Sequence, residues 1–532
     1  MPTDTGFPAS AAKDADLRLT APAGWRGTTG RLAIAGAFLI CAAVYAATGS
    51  GENALLLALA AGFGGYMALN IGANDVANNI GPTVGARVMP IGAALVMAAL
   101  CEAAGAIIAG GEVVGTIRSG IIDPALIPST QAYVWAMLAA LLAGAVWLNL
   151  ATAVGAPVST THSIVGGVLG AGIAAAGPAV VNWGVMGNIA ASWVVSPMIG
   201  AALAALCLYL VKRGITYQPD LRAAAYRGVP LLAAAMAWAF TVYLLLKGLS
   251  KIVDVTTSMA VLGGLIVALA VWGLMRGHVA RRLTRIENSK DGVNRLLGIP
   301  LILAAGALSF AHGSNDVANA IGPLAGIVDA LGTGEFHGRA AIPLWVLVLG
   351  AIGLLIGLLT YGPRVIRTIG DELTDLDPIR AWCIAMSATM TVILASQLGL
   401  PISTTHVTVG AVLGVGFLRE KLKTRHAAII AEIRAHHPQG DSAAAEQFIA
   451  RFHATPFGAR KAMLADLKAR NRAGVPAPLD REDRKVLDRA HRRDLVNRSL
   501  MLRIFAAWIV TVPATAVLSA LIYYTLRGIL MP

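Results

Sequence analysis

The run GANDVANNIGPTVGA at residues 72–86 returns as GSNDVANAIGPLAG at 313–326, and APVSTTHSIVGGVLGAG at 156–172 returns as LPISTTHVTVGAVLGVG at 400–416. The spacings nearly agree, since 316 − 75 = 241 and 404 − 160 = 244. The chain therefore holds two copies of one larger unit, which restricts the fold to two like halves around a shared interior. Both acidic motifs lie inside long apolar segments. An aspartate at the centre of a membrane helix costs roughly 2.5 to 3.5 kcal/mol on insertion scales, so Asp75 and Asp316 imply a polar site built where the copies meet.

Of the 532 residues, 56% are hydrophobic and only 13% charged, against about 25% charged in soluble domains. The composition fits an all-α polytopic membrane protein. Apolar stretches near membrane-spanning length recur at about 31–48, 54–71, 90–111, 132–154, 183–211, 229–248, 257–275, 296–312, 341–361, 379–399 and 501–528. The net charge of +13 does not indicate a nucleic-acid partner, because the basic residues sit between apolar spans without interleaved aromatics. Lys212, Arg213, Arg222 and Arg227 form one cluster, Arg276 to Arg295 a second, and Arg419 to Arg498 a third. The positive-inside rule puts all three in the cytoplasm and the chain in the cytoplasmic (inner) membrane. Cys41, Cys101, Cys207 and Cys383 each fall in an apolar span, with no disulfide or metal spacing, and read as structural. The stretch after Arg31 reads as an anchored helix rather than a cleaved signal.

The expected organisation is a polar tail at 1–30, an extra N-terminal transmembrane helix at 31–48, and a first repeat at 54–211. Intervening helices at 229–275, a second repeat at 296–418, a charged cytoplasmic insertion at 419–498 and a last span at 501–528 follow. Gly72, Asn74, Asp75 and Gly81-Pro82, with Gly313, Ser314, Asn315, Asp316 and Gly322-Pro323, are poor helix-interior residues, so a broken helix is expected at each motif. The two Ser-Thr-Thr-His segments, with glycines at 166, 167 and 410, are expected to form re-entrant helical hairpins. If the hairpins do not cross, placing all three basic clusters on one side requires an added crossing in each copy. The broken stretches are long enough to supply it, and the two copies then become inverted repeats, the arrangement of a secondary transporter.

Pro157 before Ser159, Thr160 and Thr161, and Pro401 before Ser403, Thr404 and Thr405, mark helix starts. A helix N-terminus carries about half a positive charge and binds oxyanions readily, so the two segments read as an anion site. A carboxylate about 5 Å from a phosphate dianion would repel it by roughly 7 kcal/mol at an effective dielectric of 20. Cations must therefore intervene. Asp75 and Asp316, with Asn74, Asn78, Asn315 and Asn319, offer hard oxygen ligands for Na⁺, or carboxylates that carry H⁺. Glu102 is a further intramembrane carboxylate that would tune coupling. His162 and His406 read as hydrogen-bonded packing groups, and Arg118 as an anion contact or a snorkelling span-end residue.

These residues resemble the inorganic phosphate transporter family of secondary symporters, through both NDVAN motifs, both P-x-S-T-T-H motifs and the stretch Thr116 to Gly120, over roughly residues 54–418 and the last span. The resemblance implies Na⁺- or H⁺-coupled uptake of inorganic phosphate by a non-enzyme without a resident cofactor, often as a homodimer in the lipid bilayer. By the same resemblance, Asp75, Asn78, Asp316 and Asn319 would bind cations and help hold phosphate. Ser159, Thr160, Ser403 and Thr404 would contact the anion, and the helix-start reading adds Thr161 and Thr405 as substrate-binding residues. The chain departs from some relatives at Ala385, where they carry glutamate, and its second copy has Leu324 where the first has Thr83. A sulfate symporter on the same fold and a passive anion channel are the alternatives.

Overall fold

The computed structural model describes residues 28–48, 50–153, 158–251, 253–333, 342–372, 376–422, 447–448, 451–452, 457–473 and 498–530. Pro157 and most of the 419–498 insertion lie outside them, as does nearly all of the N-terminal tail. Among the described residues the chain is helical throughout, with one isolated β-bridge, Ile122 to Val181.

In chain order the helices are α1 Thr28–Ala47, α2 Ala54–Gly85, α3 Ile91–Ala109, α4 Thr130–Ala153, α5 Thr160–Ala176 and α6 Trp183–Val211. Then come α7 Leu221–Lys247, α8 Thr257–Leu283, α9 Lys290–Leu296, α10 Gly298–Asp316, α11 Ala318–Thr333 and α12 Leu344–Glu372. The last are α13 Pro378–Gln397, α14 Thr404–Leu422, α15 Phe457–Ala473 and α16 Arg498–Leu530. Nine helices among the described residues are long and apolar enough to cross a membrane, or ten if the pair bent by 48° between α9 and α10 counts as one span. Their outer faces carry large apolar side chains such as Ile266, Leu274 and Ile509, each at least 70% exposed, as a lipid-facing surface requires.

Glycines set the interior spacing, and they do so in matched pairs. A methyl at Gly72 would lie 2.0 Å from the carbonyl oxygen of Leu354, and one at Gly313 would lie 2.1 Å from that of Glu102. A methyl at Gly357 would lie 1.9 Å from the Leu69 carbonyl oxygen, and one at Gly105 2.0 Å from that of Phe310. Thus α2 packs on α12 as α10 packs on α3. The matching residues are offset by 310 − 69 = 241 on one side and 357 − 105 = 252 on the other. A second exchange joins α5 to α16 through Gly170 on Ala516, and α14 to α6 through Gly414 on Ala201, where an added methyl would lie 2.0 Å from the carbonyl oxygen in each case. The offsets are 414 − 170 = 244 and 516 − 201 = 315, the larger one reflecting the extra segment before α16. Reciprocal contacts of this kind arise when two equivalent units meet about a two-fold relation.

Two expectations are corrected. In the first copy the helix is not broken at the Asn-Asp motif: α2 runs through Asn74, Asp75 and Pro82 without interruption. In the second copy the helix is interrupted only at Val317, between α10 and α11, where the backbone dihedrals stay helical and the path runs on from Gly298 to Thr333. An intact helix suffices because Asp75, Asn78 and Asn79 fall at i, i+3 and i+4 and share one face. The prolines still loosen the backbone, since Pro82 and Pro323 cannot donate to the carbonyls of Asn78 and Asn319 four residues earlier. The second correction concerns the hairpins. From Thr160 and from Thr404 the chain forms one helix each, α5 and α14, with no turn at the glycines. Those glycines are instead the points where neighbouring helices approach closely.

Candidate functional site

Helices α5 and α14 begin deep in the protein, and local sequence explains both starts. Ser159 is extended and its Oγ accepts from the His162 amide at 3.1 Å, while Ser403 Oγ accepts from the His406 amide at 3.2 Å. These hydroxyls are N-caps. The next two residues, Thr160 with Thr161 and Thr404 with Thr405, then meet the acidic motifs in the fully buried interior.

The carboxylates receive those hydroxyls in parallel. Thr160 donates to Asp75 Oδ2 at 2.9 Å and Thr404 to Asp316 Oδ2 at 2.8 Å. Asn78 donates to Thr405 Oγ1 at 2.8 Å, and Asn319 to Thr161 Oγ1 at 3.2 Å and Thr160 Oγ1 at 3.3 Å. Each motif therefore reaches across to the opposite copy's helix start as well as its own. One difference stands out: Thr405 donates to Asp75 Oδ1 at 3.1 Å, whereas Thr161 donates to the Ile402 carbonyl at 2.9 Å.

Between the carboxylates lies His312, one turn before Asp316 on α10. Its Nε2 is 3.0 Å from Asp316 Oδ2 and 3.7 Å from Asp75 Oδ2, and its Nδ1 is 3.1 Å from Glu102 Oε1. All four groups are at most 1% exposed. Only an imidazolium has a proton on each nitrogen to donate to carboxylates on both sides. Asp75 and Asp316 each place a carboxylate oxygen within 4.8 Å of the other, a spacing that fits a cation shared between them. Asn319 adds a side-chain oxygen with no donor in reach.

Asn74 and Asn315 hold the scaffold at matched positions. Asn74 donates to Thr152 Oγ1 at 3.1 Å, and the Asn315 amide meets Ser396 Oγ at 2.9 Å. The partners of Asn315 assign its NH₂ to the other side, 3.1 Å from Asp316 Oδ1, where it is a donor rather than a cation ligand. Behind the pocket His162 packs on Trp193 at 3.8 Å between ring centroids, His406 on Trp508 at 3.4 Å, and the two imidazoles meet at 4.4 Å. Besides stacking as rings, each imidazole has a backbone hydrogen bond, His162 with Trp508 and His406 with Trp193. Arg118 is 3% exposed and takes Tyr133 Oη on its carbonyl at 3.0 Å, so it does not snorkel.

Reading the sequence missed His312 and Asn79. The signal available for His312 was its spacing, four residues before Asp316 in a run otherwise free of ionisable groups. It was hidden because the matching position in the first copy is Ile71.

A multi-pass bundle whose duplicated halves enclose paired carboxylates and hydroxyls defines an integral membrane transporter of ionic solutes. More specifically, the chain belongs to the phosphate transporter family, whose model matches residues 71–519. It is 46% identical over 505 residues to a Helicobacter pylori protein named "Putative phosphate permease", covering 93% of this chain and 95% of that one. A protein of the same name from Chlamydia muridarum is 43% identical over 380 residues, 67% of this chain and 88% of the relative. Among solved structures, one titled "The sodium-dependent phosphate transporter" superposes with a TM-score of 0.72 at 30% identity, covering 89% of this chain and all of the other.

Proposed function

We propose that the protein is a secondary symporter that imports inorganic phosphate across the cytoplasmic membrane, coupled to Na⁺ or H⁺. In this reading its two copies are inverted across the bilayer, and it assembles as a homodimer. One observation carries the proposal: Asp75 and Asp316, buried and joined through His312, are each hydrogen-bonded by a threonine at the start of α5 or α14. Two carboxylate charges within 4.8 Å of each other repel by at least roughly 3.5 kcal/mol at an effective dielectric of 20. Counting Asp75, Asp316 and Glu102 as anions and His312 as a cation leaves a net charge of −2. Phosphate makes the pocket more negative still, so it enters only together with cations. Thr160, Thr161, Thr404 and Thr405, with Asn78, face the anion, while Asp75, Asp316 and the Asn319 oxygen hold the cations. The sodium-dependent relative favours Na⁺ for at least one of these.

The test is phosphate uptake by the purified protein in liposomes with Na⁺ and pH gradients imposed independently. Accumulation above the external concentration, driven by at least one gradient, is expected. Uptake that only equilibrates under both would make the protein a passive pathway and overturn the proposal.

A further inference from the structure

Next to the carboxylate pair, on α2 and α3 of the first copy, three buried oxygens have no hydrogen-bond partner: Asn79 Oδ1, Thr83 Oγ1 and Glu102 Oε2. All three residues are fully buried. Their arrangement follows from the sequence. Asn79 and Thr83 are one turn apart on the same face of α2. The Asn79 amide nitrogen donates to Glu102 Oε1 at 2.6 Å, which turns its carbonyl oxygen away from that carboxylate oxygen. His312 occupies the same Oε1 at 3.1 Å, leaving Oε2 outside both contacts.

Thr83 departs from the habit of this chain. Buried helical threonines normally return their hydroxyl to the carbonyl four residues back, as Thr389, Thr391 and Thr515 do at 2.7 to 2.8 Å. The Thr83 hydroxyl makes no such bond. The matching positions of the second copy are apolar throughout: 79 + 241 gives Ala320, 83 + 241 gives Leu324, and 102 + 252 gives Leu354. A polar group buried without a partner is costly, so three on neighbouring turns of α2 and α3, at positions that are apolar in the second copy, call for something that they bind.

We infer that Asn79, Thr83 and Glu102 form a separate site for one monovalent hard cation of the Na⁺ class, present in the first copy only. A carboxylate, an amide carbonyl and a hydroxyl make an all-oxygen set suited to such an ion. Through Glu102 and His312 this site touches the transport pocket, so its occupancy would set how strongly His312 is drawn away from Asp316. The inference rests on the symporter reading only for the use made of the ion, not for its binding.

The experiment counts ²²Na⁺ bound at equilibrium by the purified full-length protein without phosphate, in the wild type and in the double variant Asp75→Asn/Asp316→Asn. One sodium per chain should remain in the double variant. Adding Thr83→Val, which keeps the shape but removes the hydroxyl, should abolish it or weaken it roughly tenfold or more, and Thr83→Ser should restore it. In otherwise wild-type protein, Thr83→Val should raise the half-saturating sodium for uptake while Thr83→Ser does not. If the double variant binds no sodium, or if Thr83→Val leaves the count and affinity unchanged, the oxygens hold only water and the inference is overturned. Uptake driven by a proton gradient in a protein that binds no sodium would also remove the site while leaving the symporter reading intact. Conversely, a persistent single sodium in a protein that does not accumulate phosphate would uphold the site and remove that reading.

Discussion

The two halves of this protein agree where helices must meet and differ where charge must be managed. Gly72 and Gly313, Asp75 and Asp316, Thr160 and Thr404, and Trp193 and Trp508 all occupy matched contacts. Asn79, Thr83 and Glu102 in the first half have no polar counterparts, and neither does His312 in the second. Close helix packing tolerates little variation, because a methyl 2.0 Å from a carbonyl oxygen cannot be accommodated in place. Charge compensation needs no symmetry. A single imidazole beside two carboxylates serves both, and a second one would only compete with the cations.

The largest test of that division replaces the matched carboxylates. Asp75→Asn and Asp316→Asn should each reduce concentrative phosphate uptake by at least about a hundredfold, equivalent to roughly 2.7 kcal/mol. Vesicle uptake under a fixed driving gradient measures it. Near-normal uptake by both variants would remove the carboxylates from the mechanism, and loss in only one would move them from the symmetric to the asymmetric class.

A smaller effect should separate the second threonines. Thr405 donates to a carboxylate and Thr161 to a backbone carbonyl, and hydrogen bonds to charged groups contribute about 1.5 to 3 kcal/mol against roughly 1 for neutral ones. Thr405→Val should therefore raise the phosphate or cation concentration needed for half-maximal uptake about tenfold or more. Thr161→Val should raise it only a few-fold. Equal effects would mean that the two helix starts become equivalent during transport.

How far the sequence reveals this site depends on which of these classes a residue belongs to. Duplicated features were legible: the repeat located Asp75, Asp316 and all four threonines, and the apolar runs located the helices. The break in α2 was expected because Gly, Asn and Pro were read by helix propensity alone. Tertiary packing outweighs that preference when a whole face of α2 is buried against α12 and α4. Reading the glycines as hairpin turns failed for a related reason, since whether a glycine bends the chain or admits a neighbour depends on the neighbour. His312 and Asn79 are not legible from the repeat, because a repeat carries no signal for residues present in one copy only.

The smallest expected effect concerns the two serines, which the motif resemblance put against the anion and the structure puts at the helix caps. Each Oγ already accepts the amide hydrogen three residues on, and an N-cap serine changed to alanine costs about 1 kcal/mol of stability. A cap acts on the folded helix whether or not solute is present. Ser159→Ala and Ser403→Ala should thus lower the thermal unfolding midpoint in detergent by similar amounts, while the phosphate concentration for half-maximal uptake moves less than about twofold. A direct anion contact makes the opposite pattern, a large shift in that concentration with little loss of stability. If only one serine behaves so, the asymmetry found around Glu102 and His312 extends into the anion pocket itself.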